Sequence, residues 1–388
     1  MYPSISHALY DIFGLNVKLP VQTFGFFVAM AFIFGALVLK FNFKERYERG
    51  LIPIVVTRLV KGKKLSIKEI LPNVIFGFLL GYKLFYAFWH WTDFSNNPQE
   101  LIISSEGNLL GGIIFAAFSY YILYRDRKKE LEEYPEEKEV EVKQPPQDLV
   151  WEITFSCALA GFVGAKVFHF LEYPETLAEL FTDPSSAIFS GLTFYGGLLF
   201  GMATALYYCK KLKMRLFDLL DIAAPSLMLS YGVGRLGCHF SGDGDWGIVN
   251  NLDKPTWFNF LPDWLWAFKY PHNVNGEGVL INNCDPFWGY HCFELQEAVF
   301  PTPLYEFLAC LLIFLVLFLL RNTLLKTGLI FSLYFILNGL ERFAIEKIRV
   351  NVVYEWGFIQ PTQAEVISLF MIIIGIIGFV FFYKRKPN

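Results

Sequence analysis

Tyr231-Gly-Val-Gly-Arg-Leu-Gly-Cys-His-Phe-Ser-Gly-Asp-Gly-Asp-Trp-Gly247 closes an apolar run that begins near Leu219 and sets Arg235 at or near membrane depth. A charge at that depth is expensive, and it persists where something needs it. His239, Asp243 and Asp245 follow at the point where a helix would leave the bilayer. Gly234, Gly237 and Gly247 let a ligand approach the backbone, and polar groups converging on such a backbone have the makeup of a site.

Outward from this run the chain is predominantly apolar. Of 388 residues, 54% are hydrophobic and 18% aromatic. Apolar stretches of about 18 to 23 residues recur, the length needed to cross roughly 30 Å of hydrocarbon. The expected fold class is an all-α polytopic membrane protein. Its spans fall near 20–41, 71–91, 107–124, 153–172, 187–209, 218–238, 303–320, 328–345 and 362–383, about nine transmembrane helices in all. The net charge of −3 says little about partners, because a membrane protein sorts its charges by loop.

That sorting gives an orientation. Residues 42–70 carry Lys44, Arg46, Arg49, Arg58, Lys61, Lys63, Lys64 and Lys68, and basic clusters return at Arg125–Lys129, Lys210–Arg215, Arg321–Lys326 and Lys384–Lys386. Loops 92–106 and 173–186 hold no Lys or Arg. All five basic regions share one side when the N-terminus is outside and the C-terminus inside. The start, Met1-Tyr-Pro-Ser-Ile-Ser-His7, lacks the basic region of a cleavable signal peptide, so the first span is expected to be retained.

The expected organisation is a first span (1–41), an inserted helical repeat pair with basic and acidic cytoplasmic segments (42–150) and a transmembrane core with Gly-Gly and Gly-Arg motifs (151–240). An aromatic-rich outward head (241–302) and a C-terminal transmembrane core (303–388) complete it. Segment 125–147 reads as a solvated cytoplasmic linker, helical in part or irregular, ending in Gln144-Pro-Pro-Gln147. On either side of it stand two similar segments, a duplication or a chance likeness of apolar helices: Phe78-Leu-Leu-Gly-Tyr-Lys-Leu-Phe-Tyr86 parallels Gly161-Phe-Val-Gly-Ala-Lys-Val-Phe-His169. Each is followed by an outward loop and a glycine pair, Gly111-Gly112 or Gly196-Gly197. The head carries Trp246, Trp257, Trp264, Trp266 and Trp288, suited to a headgroup zone or to an aromatic core. Its Cys284 and Cys292 are either a disulfide in an oxidising compartment or two free thiols.

A second polar cluster stands at Glu341-Arg-Phe-Ala-Ile-Glu-Lys-Ile-Arg349. Arg342, Glu346 and Arg349, spaced i, i+4, i+7, are expected on one helix face at the outer end of their span. Arg235 lies at the outer end of another, so the guanidiniums converge at one depth, ready for two-point contact with phosphate or carboxylate. The bland alternative is arginines snorkelling to headgroups. Tyr195-Gly196-Gly197 opens a span as a close-approach site or as helix packing. Pro301-Thr-Pro-Leu-Tyr-Glu306 starts another and sets Tyr305 and Glu306 deep. His239 is a candidate base or a structural histidine. The chain has no P-loop, no dinucleotide-binding glycine fingerprint and no HExxH, and Cys238-His239 alone is a weak metal signal.

Several of these segments together resemble the prolipoprotein diacylglyceryl transferase family. Phe217-Asp-Leu-Leu-Asp-Ile-Ala-Ala-Pro225 leading into Gly234-Arg-Leu-Gly237 is similar to its signature helix, and Gly191-Leu-Thr-Phe-Tyr-Gly-Gly-Leu198 to its glycine-pair segment. Pro301–Glu306, Arg342-(x)3-Glu346-(x)2-Arg349 and Gln363–Gly375 resemble three more, in order. The chain departs from the family where His-Gly-Gly becomes Tyr195-Gly-Gly, where an asparagine gives way to Cys238 or His239, where a glutamate becomes Asp243 or Asp245, and where a tyrosine becomes Phe24.

The resemblance implies transfer of a diacylglyceryl group from phosphatidylglycerol to the lipobox cysteine of a prolipoprotein signal peptide, in the bacterial inner (cytoplasmic) membrane, with release of glycerol phosphate. It implies no metal, no soluble cofactor and no nucleic acid. Arg235 and Arg342 would hold the phosphate, Glu346 would orient them, and Arg349 would add positive field. His239, Asp243 or Asp245 would take the thiol proton, and Tyr195 would stand among the catalytic groups. Gly196, Gly197, Gly234, Gly237, Gly247 and Tyr305 would line the substrate. The alternatives are a divergent relative acting on another lipid or acceptor, and a non-catalytic transporter or lipid-binding protein, the latter motivated by the repeat and by Lys83 and Lys166 inside spans.

Overall fold

The computed structural model describes residues 1–182, 184–189, 191–324, 326–351, 354 and 360–385; Lys386 of the last basic cluster lies outside them. The chain is mostly helical. Helix α1 covers Ile5–Phe13, and nine longer helices follow among the described residues. They are α2 (Thr23–Glu48), α3 (Ile67–Trp89), α4 (Leu109–Glu133), α5 (Val150–Glu172), α6 (Phe194–Lys211), α7 (Leu216–Ser241), α8 (Thr302–Leu320), α9 (Leu329–Glu346) and α10 (Gln363–Lys384). Each coincides with an expected span to within a few residues, save that α2 and α4 run on into their basic or acidic tails and that α6 starts at Phe194, seven residues after the expected start at 187. Six of them (α2, α3, α5, α7, α8 and α10) are long and apolar enough to cross a membrane.

Contacts divide the chain into two compact units, Met1–Arg49 with Cys209–Asn388, and Gly50–Tyr208. In the second unit the two copies of the repeat make the same contacts. Gly81 of α3 meets the backbone of Gly111 in α4, and Gly164 of α5 meets that of Gly196 in α6; a methyl group on any of the four would strike the opposing chain. Small residues of this kind let helix backbones touch where apolar burial gives no drive. Asn108 N–H donates to the Tyr82 carbonyl at 2.8 Å, and Thr193 N–H to that of Ala165 at 3.2 Å. The ammonium ends of half-buried Lys83 and buried Lys166 serve as clamps. Lys83 Nζ donates to the carbonyls of Leu101 (2.9 Å), Ser104 and Glu106 (2.8 Å), and Lys166 Nζ to that of Gly191 (3.2 Å).

Part of segment 125–147 is helical, as its first residues continue α4, but the linker reading of the rest needs correction: β2 (Lys138–Gln144) pairs antiparallel with β1 (Val55–Lys61), from Val55 opposite Gln144 to Lys61 opposite Lys138. Alternating valines and charges in Lys-Glu-Val-Glu-Val-Lys carry the period-2 pattern of a strand, and Arg58 pairs with Glu141 at 3.2 Å.

In the first unit α7 is central, packed on α2 and α8. Its core is Ala224, Met228, Cys310, Ile313, Leu317 and Ile330. Buried Asp221 accepts the N–H groups of Gly328 (2.6 Å) and Phe331 (2.8 Å), satisfying the first turn of α9 from the side of a neighbouring helix. The C-terminal ends of α7 and α9 meet the N-terminal end of α8, and there the polar residues collect.

The head above that end is largely irregular, with one two-residue ladder, β3 (Val279–Leu280) on β4 (Phe293–Glu294). Cys284 and Cys292 are joined in a disulfide. The N-terminal segment belongs to this head: Met1 NH3⁺ donates to the Pro271 carbonyl at 2.5 Å, and Tyr2 N–H to that of Phe240 at 2.7 Å. Trp288 stacks on His272 (3.8 Å between ring centroids) and on His7 (5.1 Å), with His291 edge-on to His7.

Burial, reinforced by His291 and His272, holds His7 down at about 4, and burial holds the Met1 amine down at about 5. Both groups bind protons more readily in the unfolded chain, so their stabilisation is present above the unfolded values and is lost as pH falls toward the folded ones. The melting temperature is therefore expected to fall by several degrees between pH 8 and pH 4.5, and less in His7→Gln. A flat profile in the native chain would show that this cluster does not couple to folding.

Candidate functional site

Helix α7 ends at Ser241, and Gly242 turns the chain with φ +65°. Gly244, φ +96°, lies between Asp243 and Asp245 in a conformation that side chains disfavour. The turn sends Asp245 back over the helix end. Asp245 meets two guanidiniums, Arg235 through one oxygen and Arg349 through the other at 2.7 Å.

Glu306, fully buried in the first turns of α8, is the hub. Its carboxylate meets Arg235, Arg349 at 2.9 Å and Arg342 at 3.5 Å, and it accepts the Tyr231 hydroxyl at 3.0 Å. Arg342 also pairs with Glu346 at 3.0 Å, and Asn351 donates to Glu346 at 2.6 Å. Each of the three guanidiniums thus touches two of the three carboxylates. Arg235 lies over the Tyr231 ring as well, 5.2 Å from its centroid. Ionised hydrogen bonds of this kind are strong where water is scarce, and the arginine fork fixes their directions.

The expected convergence of Arg235, Arg342, Glu346 and Arg349 is therefore present, with one correction. Arg349 is not on the helix face of Arg342 and Glu346, because α9 ends at Glu346 and the chain turns. Arg349 instead lies in a β-bridge with Gly247, and that bridge brings its guanidinium back to the cluster. Gly247 works as a slot for this crossing: a Cβ there would sit 2.5 Å from the Ile348 carbonyl oxygen.

The other expected residues fall as follows. Gly237 packs against Phe24 and Phe27 of α2, whereas Gly234, one residue before Arg235, faces open space. Tyr305 fastens the head, donating to the Leu265 carbonyl at 2.6 Å. His239 is buried in an aromatic nest with Phe240, Trp264, Phe268 and Tyr270, its Nδ1 3.2 Å from the Tyr270 hydroxyl. Tyr195 is exposed at the start of α6 in the second unit, where Gly196 and Gly197 form the contact with α5. Glu306 was legible only as a deep carboxyl after Pro-Thr-Pro; its role as shared partner has no signature in spacing.

Cys238, Asp243 and Asp245 bring their sulfur and carboxylate oxygens within 4.8 Å of one another. Both oxygens of Asp245 are engaged by arginines, so this donor set fits a metal poorly. The two aspartates are driven apart instead. Burial, then the charge of Asp245, raises Asp243 above the usual carboxylate range. Burial would raise Asp245 too, but Arg235 and Arg349 hold it below that range. Carboxyls separated in this way divide into a proton acceptor and a fixed counter-ion.

Residues of α2, α7 and α8 line an apolar groove of about 440 Å³: Phe26, Phe27, Met30, Phe34, Leu229, Val233, Leu236, Phe307 and Leu311. Leu236 and Phe307 follow Arg235 and Glu306 in sequence.

The family model for prolipoprotein diacylglyceryl transferase matches residues 131–381. The phosphatidylglycerol--prolipoprotein diacylglyceryl transferase of Leptospira interrogans serovar copenhageni is 32% identical over 209 residues, 52% of this chain and 55% of that protein. So the chain spans about half the length of this relative. The Clostridium botulinum Loch Maree protein of the same name is 30% identical over 233 residues, covering 59% of this chain and 78% of the relative. One from Clostridium perfringens is 26% identical over 238 residues, 61% and 80%.

Proposed function

Because the chain belongs to the prolipoprotein diacylglyceryl transferase family, we propose that it moves a diacylglyceryl group from phosphatidylglycerol to the cysteine thiol of a prolipoprotein signal peptide. The carrying observation is the convergence of Arg235, Arg342 and Arg349 on Glu306 where α7, α8 and α9 meet, and the apolar groove lined by α2, α7 and α8 would take an acyl chain. The lipid phosphate lies on the Arg235 and Arg342 guanidiniums, with an acyl chain in the groove and the open side of Gly234 giving it room. The peptide sulfur attacks the glyceryl carbon, a C–S bond forms, and the C–O bond to phosphate breaks. The electron pair leaves on the phosphate oxygen as glycerol phosphate, and the guanidiniums stabilise that growing charge.

The thiol proton goes to Asp243, which carries no arginine and is shifted toward neutrality, since thiolate is the nucleophile. The aromatic nest around His239 supports an anchoring role for that residue. The chain spans a bacterial inner membrane nine times, N-terminus outside, which puts the cluster at the outer face. The clamps made by Lys83 and Lys166 weigh against a transport path through those residues.

The test is incubation of the purified chain with phosphatidylglycerol labelled in its diacylglyceryl part and a lipobox peptide. Label on the peptide, absent when its cysteine is replaced by serine, is the expected result. An unmodified peptide, with an active relative labelling it in parallel, would reject the assignment.

A further inference from the structure

Arg235 and Arg342, which the proposed function assigns to the lipid phosphate, and Arg349 beside them are already neutralised. Arg235, Arg342 and Arg349 face Asp245, Glu306 and Glu346, three cations for three anions, with every guanidinium doubly engaged. A phosphate that simply joined this cluster would add an anion with no cation to meet it, at membrane depth, where an uncompensated charge is most costly. One carboxylate has to give way.

The three are not equivalent. The Glu306 and Glu346 side chains are 0% and 1% exposed and are fixed on helices, whereas that of Asp245 is 33% exposed and stands on a loop. The backbone of Asp245 is held on both sides: its carbonyl accepts the Thr302 hydroxyl at 2.9 Å, and its N–H donates to Asp243 at 3.3 Å. A rotation of the side chain alone therefore clears the site, with no movement of the loop. The Asp245 oxygens reach one guanidinium each, Arg235 and Arg349. A phosphodiester offers two non-bridging oxygens that repeat this two-point contact.

We propose that Asp245 is a displaceable stand-in for the lipid phosphate. It keeps the arginine fork paired and aligned while the site is empty, and phosphatidylglycerol binds by exchanging its phosphate for this carboxylate. The exchange rests on the reading of the cluster as a phosphate site. It selects for a lipid whose anion replaces the carboxylate, and it returns the fork to a closed state once glycerol phosphate departs. Asp245 is thus a positioning residue, and it opposes substrate binding in the ground state.

The test is equilibrium binding of a short-chain phosphatidylglycerol to detergent-purified protein, together with kcat and KM for transfer, in Asp245→Asn, Asp243→Asn and Arg235→Ala. Removing the competing charge is expected to tighten lipid binding on the order of tenfold in Asp245→Asn, about 1.4 kcal/mol. Asp243→Asn is expected to bind as the native chain does while losing kcat. Should Asp245→Asn fail to accumulate, Asp245→Ser removes the same charge. Unchanged or weaker binding in the charge-removed variant, with binding abolished in Arg235→Ala, would overturn displacement and leave the phosphate site standing. Native-like binding by Arg235→Ala would overturn both.

Discussion

Arg235→Ala is expected to reduce diacylglyceryl transfer by about a thousandfold or more, the upper range for losing one preorganised charge at a developing anion. Arg235 sits between the loop carboxylate and the buried one, touching both Asp245 and Glu306. Its loss removes ground-state contact with the phosphate and stabilisation of the leaving oxygen together. Arg235→Lys separates charge from geometry, because lysine keeps the cation but is a point donor without the planar fork. That variant is expected to fold and to retain at most about a tenth of the rate, the loss of one charge-assisted contact. The check is initial rate per folded protein, with the melting temperature reported for each variant. A lysine variant at native rate would show that two-point recognition is not used.

Glu306→Ala is expected to act on the fold first. Glu306 is fully buried and shared by three guanidiniums and a tyrosine hydroxyl. Breaking a buried ion pair by removing one partner costs roughly 3–5 kcal/mol, since the remaining charge is left uncompensated. Here three arginines lose their common anion. The variant is expected to melt well below the native chain in detergent, and Glu306→Gln, which keeps the volume and one acceptor, to fall between. Thermal unfolding followed by tryptophan emission gives the comparison. A native melting temperature for the alanine variant would mean that the arginines are held by contacts other than Glu306.

The helices were readable because their signal is local. Runs of apolar residues of bilayer length, bounded by basic clusters, need no partner to be recognised, and each expected span corresponds to a long helix. The arginines were readable for a related reason, since a cation inside such a run is conspicuous. What escaped depends on pairing at a distance. Nothing near Glu306 in sequence announces that Arg235, Arg342 and Arg349 will meet on it. The i+7 spacing of Arg349 suggested a helix face, yet α9 stops at Glu346 and a bridge to Gly247 does the positioning.

The strand pair 55–61 with 138–144 was hidden inside charged segments that read as solvated, because its partner is about 80 residues away and each strand alone is short. The place of Met1–Gly14 under the head, and the closure of Cys284 on Cys292, likewise follow from tertiary neighbours. His239 was singled out as a polar residue in a polar stretch. Its helix register turns it into the aromatic nest, while Asp243, two residues past the helix end, faces Cys238.

The measurement that bears most directly on the central claim is mass analysis of the lipobox peptide after reaction with phosphatidylglycerol and the purified chain, with glycerol phosphate quantified in the same tube. The account predicts one diacylglyceryl group on the cysteine sulfur for each glycerol phosphate released, and neither product with Arg235→Ala. Glycerol phosphate released without peptide modification, or peptide modified equally by the alanine variant, would contradict it.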